Sequence, residues 1–343
     1  MNQCPYCAEE VKVGLKPQSA AVLDACQKCL NIRIARAGTG GRWDAEPLPD
    51  NEDIHETISE GSVMAGVFAQ LPEEFEDLPA LPEIPRQIIG LIHDPLASMS
   101  DVADLINKDA ALVLRVLRVA NSAFYGGRVE IKDIRTACSR LGMRTVANLV
   151  LAVGNGSLYR SHDARFRGLM GQLWEHSIVS AHCAGALSGR VEQEYAPSLF
   201  LAGLLHDIGK VVLLDVITVK YRGPTGRLKE SEDLLKHVLE RFHTLVGLHV
   251  AQQWRLPPEF RMTSYCHEAP ETSPDPQWAR VIHAVALASK FAHAMGYGWE
   301  EPDENLNEHP SAVFLGLDPV QMEELRAKLE DQVNTLVGAF VFD

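Results

Sequence analysis

From about residue 100 onward, apolar residues return every three to four positions, the period of a helix with one buried face. In "SDVADLINKDAALVLRVLRVANSAF" the set Val102, Leu105, Ile106 is followed by Leu112, Val113, Val116, Leu117. Ser100 or Asp101 is the expected cap of the first of these helices, because a short side-chain oxygen there can accept a backbone N–H of the opening turn. The same rhythm returns in "DIRTACSRLGMRTVANLVLAV", "LWEHSIVSAHCAGALSG", "SLFLAGLLHDIGKVVLLDV", "SEDLLKHVLERFHTLVGLHVAQQW", "WARVIHAVALASKFAHAMG" and "DPVQMEELRAKLEDQVNTLVGAF". The body of the chain therefore reads as all-helical.

The first 43 residues break that rhythm. "NIRIARA" and "GRW" look like short strands joined by the hairpin-like "AGTGG". From Asp44 to Asp77 there are eleven Asp or Glu and no Lys or Arg, which predicts a solvated acidic linker. The expected organisation is a small β module over 1–43, a linker over 44–77, a helical domain over 78–295, and a helical extension over 296–343 packed on that domain. The fold class is mainly α.

Seven cysteines in 343 residues are too few for a disulfide framework. Four of them stand as Cys4-x2-Cys7 and Cys26-x2-Cys29 with eighteen residues between, the spacing of two knuckles closing one tetrahedral zinc site. Four thiolates leave no open position for water, so the expected cofactor is a structural zinc holding a ribbon too small to bury its own core. Redox chemistry at either pair is the competitor, and it lacks the βαβ setting of such motifs. Cys138, Cys183 and Cys266 read as core residues.

Inside the helical body, adjacent His206 and Asp207 can offer an imidazole and a carboxylate to one cation, while His176 stands on an earlier helix and His243 and His267 on later ones. Two ligands do not hold a catalytic metal, so the other residues decide the matter. The ordered run "LPALPEIP", "INKDAALVLRVLRVANSAFYG", "IKDIRTACSRLGMRTVANLVL", "EHS", "LLHDIGK", "HTLVGLHVAQQWRLPPEF" and "CHEAP" resembles the HDOD family, relatives of the HD-type phosphohydrolases, over roughly residues 78 to 295. The resemblance implies an all-helical bacterial signal-transduction domain that regulates or scaffolds without catalysis.

In metal-dependent HD hydrolases the ligands are a first His, the His-Asp pair and a distal Asp, and His176, His206 and Asp207 match the first three. The resemblance puts the distal position at Ser289, within "IHAVALASKFAH". A neutral hydroxyl is a poor ligand for a hard divalent ion, so a second metal is not expected there. His293, Glu268 and His283 lie nearby in sequence without a recognised spacing. The expected alternative is a buried network in which His176 and His206 bond Asp207, with Lys210 offsetting its charge.

The formal charge of −14 argues against general nucleic-acid binding. Between Arg115 and Arg167, however, ten basic residues face only Glu130, Asp133 and Asp163. Arg115, Arg118, Arg128, Lys132, Arg135, Arg140 and Arg144 are candidates for binding an anionic partner, a signalling protein or a nucleotide. No apolar run reaches the roughly 20 residues of a membrane helix, and no secretory signal opens the chain, so the expected location is cytoplasmic.

The expected function is a regulatory binding module without catalysis. Two rivals stay open: a metal-dependent phosphohydrolase of nucleotides or cyclic dinucleotides, using Lys210, His243 and His267 beside the His-Asp pair, and a nucleotide-sensing domain without turnover.

Overall fold

The computed structural model of the chain describes residues 81–340, apart from 93, 95, 162–165, 221–231, 274 and 300–305. The expected zinc ribbon, with Cys4, Cys7, Cys26 and Cys29, and the acidic linker lie outside the described residues. Among the described residues all regular structure is helical and no strand occurs. Two compact units are present, one including residues 208–261 and the other residues 80–207 and 262–343.

The larger unit starts with five helices: α1 (Glu83–Ile92), α2 (Met99–Ile106), α3 (Ala110–Ala120), α4 (Ile134–Leu141) and α5 (Met143–Asn155). α5 is their centre, contacting α1, α2, α3 and α4, and it buries Val146, Leu149, Val150, Leu151 and Val153. Each large aliphatic side chain taken from water in this way contributes about 1.5–3 kcal/mol.

The cap of α2 differs from expectation. Ser98, not Ser100 or Asp101, is the N-cap: its Oγ accepts the Asp101 amide at 3.2 Å, while the Asp101 carboxylate accepts the Ser98 amide at 2.8 Å. Asp101 thus closes a reciprocal capping box from the third helical position, which satisfies two otherwise unbonded donors. The apolar rhythm from residue 102 to 117 hides the break at Asp109, whose carboxylate caps α3 through the Leu112 amide at 3.0 Å. The next expected helix also divides, at Gly142, where φ is +87°.

Between α3 and α4 the chain is held by one side chain. Asn121 donates Nδ2 to the carbonyls of Leu117 (2.9 Å) and Ile131 (2.8 Å) and accepts the Ile131 amide at 2.7 Å. Asn121→Ala is expected to cost about 2–3 kcal/mol, since backbone groups of Ile131 lose their partner. Urea denaturation of the variant checks this.

The second half of the same unit contains α6 (Arg167–Ala186), α7 (Leu199–Leu205), α11 (Ala279–Ala294), α12 (Pro310–Phe314) and α13 (Pro319–Ala339). The long buried helix α6 contacts α7, α11 and α13, and α7 reaches both α5 and α11. α13 is fastened to α6 by Trp174 Nε1, which donates to the Phe340 carbonyl at 3.1 Å, and by a His182 to Gln332 side-chain bond of 3.0 Å. Trp174 is therefore a structural residue.

In the smaller unit, α8 (Ile208–Lys220) packs on α9 (Glu232–Gln253). The helix α10 (Pro258–Cys266) follows. Trp254 and Phe260 are buried.

Cys138, Cys183 and Cys266 are buried and free. Burial pushes all three thiols up, that of Cys266 to about 12, which suppresses the reactive thiolate. None of the three is expected to react with Ellman's reagent until the protein is unfolded. Labelling followed by peptide mapping checks this, and also reports whether the four N-terminal thiols are shielded as a zinc ribbon requires.

Candidate functional site

Two helix crossings build the centre of the larger unit. α6 carries His176, and α7 ends at the His206-Asp207 pair. The crossing of α6 and α7 is close because Gly203 has no side chain: a Cβ there would lie 2.7 Å from the Ser180 carbonyl oxygen. His206 also terminates its own helix, its Nδ1 donating to the Gly203 carbonyl at 2.8 Å, a carbonyl left over where α7 stops. The ring is thereby turned so that Nε2 lies 3.2 Å from Nε2 of His176.

His176 is oriented from its other side, donating Nδ1 to the Tyr297 carbonyl at 2.9 Å. His267, just after α10, donates Nδ1 to the Thr263 carbonyl at 3.1 Å. A carbonyl oxygen only accepts, so all three rings carry a proton on Nδ1 and direct Nε2 toward the same place.

Asp207 occupies that place. Its Oδ2 lies 3.6 Å from His176 Nε2 and 3.5 Å from His206 Nε2, and its Oδ1 lies 3.3 Å from His267 Nε2. Glu268 adds Oε1 at 3.3 Å from His267 Nε2, with its other oxygen 3.9 Å from Lys290 Nζ. The four central side chains are at most 3% exposed, whereas Glu268 is 35% exposed. Burial alone would push His267 down, but the Asp207 and Glu268 carboxylates favour its cation and raise it to about 10.

α11 closes the group. Ser289 Oγ stands 3.4 Å from His176 Nε2, as does Ser180 Oγ from α6 itself. One turn beyond Ser289, the His293 ring lies on that of His176 with centroids 4.5 Å apart.

His176, His206, Asp207, His267 and Ser289 come together. His283 does not join them: its Nδ1 meets Ser311 Oγ at 2.9 Å and its ring stacks on Phe314. Lys210 and His243 belong to the smaller unit, where Lys210 Nζ pairs with Glu240 at 2.8 Å and His243 Nδ1 faces the Leu239 and Glu240 carbonyls of its own helix. Sequence gave no signal for the Tyr297 carbonyl or for Ser180, and Glu268 carried only its adjacency to His267.

The basic candidates are spread over α3 to α5. Arg118, Arg128, Lys132, Arg135, Arg140 and Arg144 are exposed and Arg115 is half-buried. Arg135 bonds Asp104 at 3.0 Å, and Arg140 donates to the Val129 carbonyl.

With this geometry in view, residues 78–270, more than half of the chain, match the HDOD domain family. The chain belongs to the HDOD family. A curated protein of Treponema pallidum (strain Nichols) is 30% identical over 231 residues, which is 64% of this chain and 43% of that one. The chain thus spans less than half the length of that relative. Among solved structures, an HDOD domain protein of Geobacter sulfurreducens is 24% identical, covers 79% of this chain and 97% of its own, and superposes with a TM-score of 0.64. A candidate metal-dependent phosphohydrolase of Shewanella amazonensis is 22% identical, with 79% and 96% coverage and a TM-score of 0.57. HDOD and phosphohydrolase-type structures therefore share this helical fold. No helix among the described residues is long and apolar enough to cross a membrane.

Proposed function

We propose that this HDOD protein is a regulatory module that acts by binding, and that its His-Asp centre does not turn over phosphate esters. The observation that carries the reading is the 3.4 Å contact of Ser289 Oγ with His176 Nε2, a neutral group where the family resemblance leads one to expect a carboxylate. A catalytic divalent ion needs charge compensation and an open coordination position for water or substrate. Here one of the four expected ligands is neutral, and His176, His206 and Asp207 are sealed from solvent.

The test is a phosphate-release assay on nucleoside phosphates and cyclic dinucleotides with Mn²⁺ present. Any release is expected to be unchanged by His206→Ala. Turnover that disappears with that substitution overturns the proposal in favour of the phosphohydrolase reading.

Binding is assigned to the stretch from α3 to the start of α5, which carries exposed Arg118, Arg128, Lys132 and Arg144 and exposed Leu114 and Val129. Charge with a few apolar anchors suits an acidic protein segment of a signalling partner. A fluorescent glutamate-rich peptide with interspersed leucines is expected to bind in low salt and to lose affinity at least tenfold when Arg118 and Lys132 are changed to Glu. The four-thiolate zinc site of the N-terminal ribbon belongs to the same proposal, as a structural element.

A further inference from the structure

We propose that the turn between α12 and α13, with the start of α13, docks on the basic stretch from α3 to the start of α5 of a second copy of this chain, so that copies associate head to tail. The inference rests on the reading of that stretch as a binder of acidic segments, and it names an occupant.

The first support is the character of the α12–α13 turn. From Leu306 to Leu325 the chain has Glu308, Asp318, Glu323 and Glu324, all exposed, and no Lys or Arg. Exposed Val313, Phe314 and Val320 stand among them, while Leu315 and Leu317 are buried. Single exposed apolar residues are ordinary on a protein surface, but three within one short turn mark a place of contact. The turn is also fixed in shape. Arg190 Nη1 donates to the Gly316 carbonyl at 3.1 Å, Asp318 and Gln321 close a capping box at the start of α13, and the Phe314 ring stacks on His283 with centroids 3.9 Å apart. A surface already held in one shape loses little entropy on docking.

The second support is charge complementarity with the basic stretch. On α3, exposed Leu114 is followed four positions later by exposed Arg118, and on α13, exposed Val320 is followed four positions later by exposed Glu324. Residues four apart are neighbours on a helix surface. Each helix therefore presents an aliphatic side chain beside a charge, positive on α3 and negative on α13. Among the described residues Arg118, Arg128, Lys132 and Arg144 have no carboxylate partner, which leaves their charge to an incoming acidic surface.

The third support is the exclusion of other pairings. The whole chain carries a charge of −14, which repels a second copy at long range. At about 0.1 M salt that repulsion is screened beyond about 10 Å, so groups in near contact decide whether two copies attract. Pairing like with like sets acid on acid or base on base. Only the crossed pairing brings opposite charges and the aliphatic side chains together. A crossed contact uses a different surface on each copy, so a pair of copies still has one basic stretch and one acidic turn free, and growth continues past two chains.

The test is analytical ultracentrifugation of the full chain in a concentration series up to about 1 mM. Two double variants at exposed positions are run beside it, Leu114→Gln with Arg118→Gln and Val320→Gln with Glu324→Gln. The wild type is expected to gain mass beyond two chains as concentration rises. Each variant alone is expected to associate at least tenfold more weakly. An equimolar mixture of the two is expected to recover association and to stop at two chains, because one variant keeps its acidic turn and the other its basic stretch. A wild type that stays at one chain or stops at two overturns the proposal, as does a mixture that fails to recover. Association lost in the Leu114 and Arg118 variant but intact in the Val320 and Glu324 variant also overturns it, since another acidic surface then takes that place. The glutamate-rich peptide, titrated into the Val320 and Glu324 variant, judges the basic stretch by itself, so failure of that reading is told apart from failure of self-association.

Discussion

Asp207→Asn is expected to lower the unfolding free energy by about 3–5 kcal/mol, the cost of breaking a buried ion pair from one side. The substitution keeps the shape of the side chain and removes only its charge. Asp207 is 1% exposed and touches the Nε2 atoms of His176, His206 and His267, so no solvent is at hand to replace the lost interaction. Urea denaturation measures the effect. Ser289→Ala, which removes one long hydroxyl contact, is the comparison and is expected to cost less than about 1 kcal/mol.

The difference between Asp207→Asn and the wild type depends on pH. In chelator-treated protein His267 keeps its proton up to about 10, against 6.5 for an unperturbed imidazole. A group raised on folding stabilises fully below its unfolded value, and that stabilisation is lost as pH climbs through the folded value. The gap between wild type and Asp207→Asn is therefore widest near neutrality and narrows toward pH 10. A gap that widens with rising pH contradicts the assignment of His267 as the cation of the metal-free centre.

The second large effect is expected at Gly209, in the smaller unit. A Cβ on that residue would lie 1.9 Å from the His243 carbonyl oxygen and 2.7 Å from the Gly247 amide nitrogen, both backbone atoms of α9. No rotamer relieves such a contact, so α8 and α9 have to separate along their whole interface. Overpacking of this kind costs about 3 kcal/mol or more, and Gly209→Ala is expected to melt roughly 6–12 °C below wild type. A melting temperature within about 2 °C of wild type contradicts the close crossing. The two glycines of "GLLHDIGK" thus serve packing, Gly203 against α6 and Gly209 against α9, on either side of the residues that carry the chemistry.

Much of this architecture is legible in the sequence, because helical periodicity records which faces are buried. Val102, Leu105 and Ile106 fall on a buried face as their spacing indicates. The family motifs also placed Ser289 beside His176, a contact over 113 positions that no local pattern encodes. Boundaries were less legible. The Ser98 cap was missed because Ser100 and Asp101 carry the same chemistry, and only backbone geometry selects among them. Lys210 Nζ lies 2.8 Å from Glu240 on the facing helix, a pairing that chain spacing does not indicate. The Tyr297 carbonyl that turns His176 is a backbone group, and residue identity says little about where a carbonyl points.

Glu268 shows why the chemistry of the centre was harder to read than its membership. In sequence it is one acidic residue after a histidine. In the fold it is the second carboxylate around His267, in a group whose expected second carboxylate is a serine. Only the fold shows that its Oε1 stands 3.3 Å from His267 Nε2.

The central claim is that this centre holds charge in place without breaking a phosphate ester. A single-turnover experiment tests it most directly, with the protein in excess over a labelled cyclic dinucleotide or nucleoside triphosphate, divalent ion present, and wild type run beside Asp207→Asn. The account predicts that both proteins leave the substrate as intact as a buffer blank does. Product that forms with wild type and not with Asp207→Asn would contradict it.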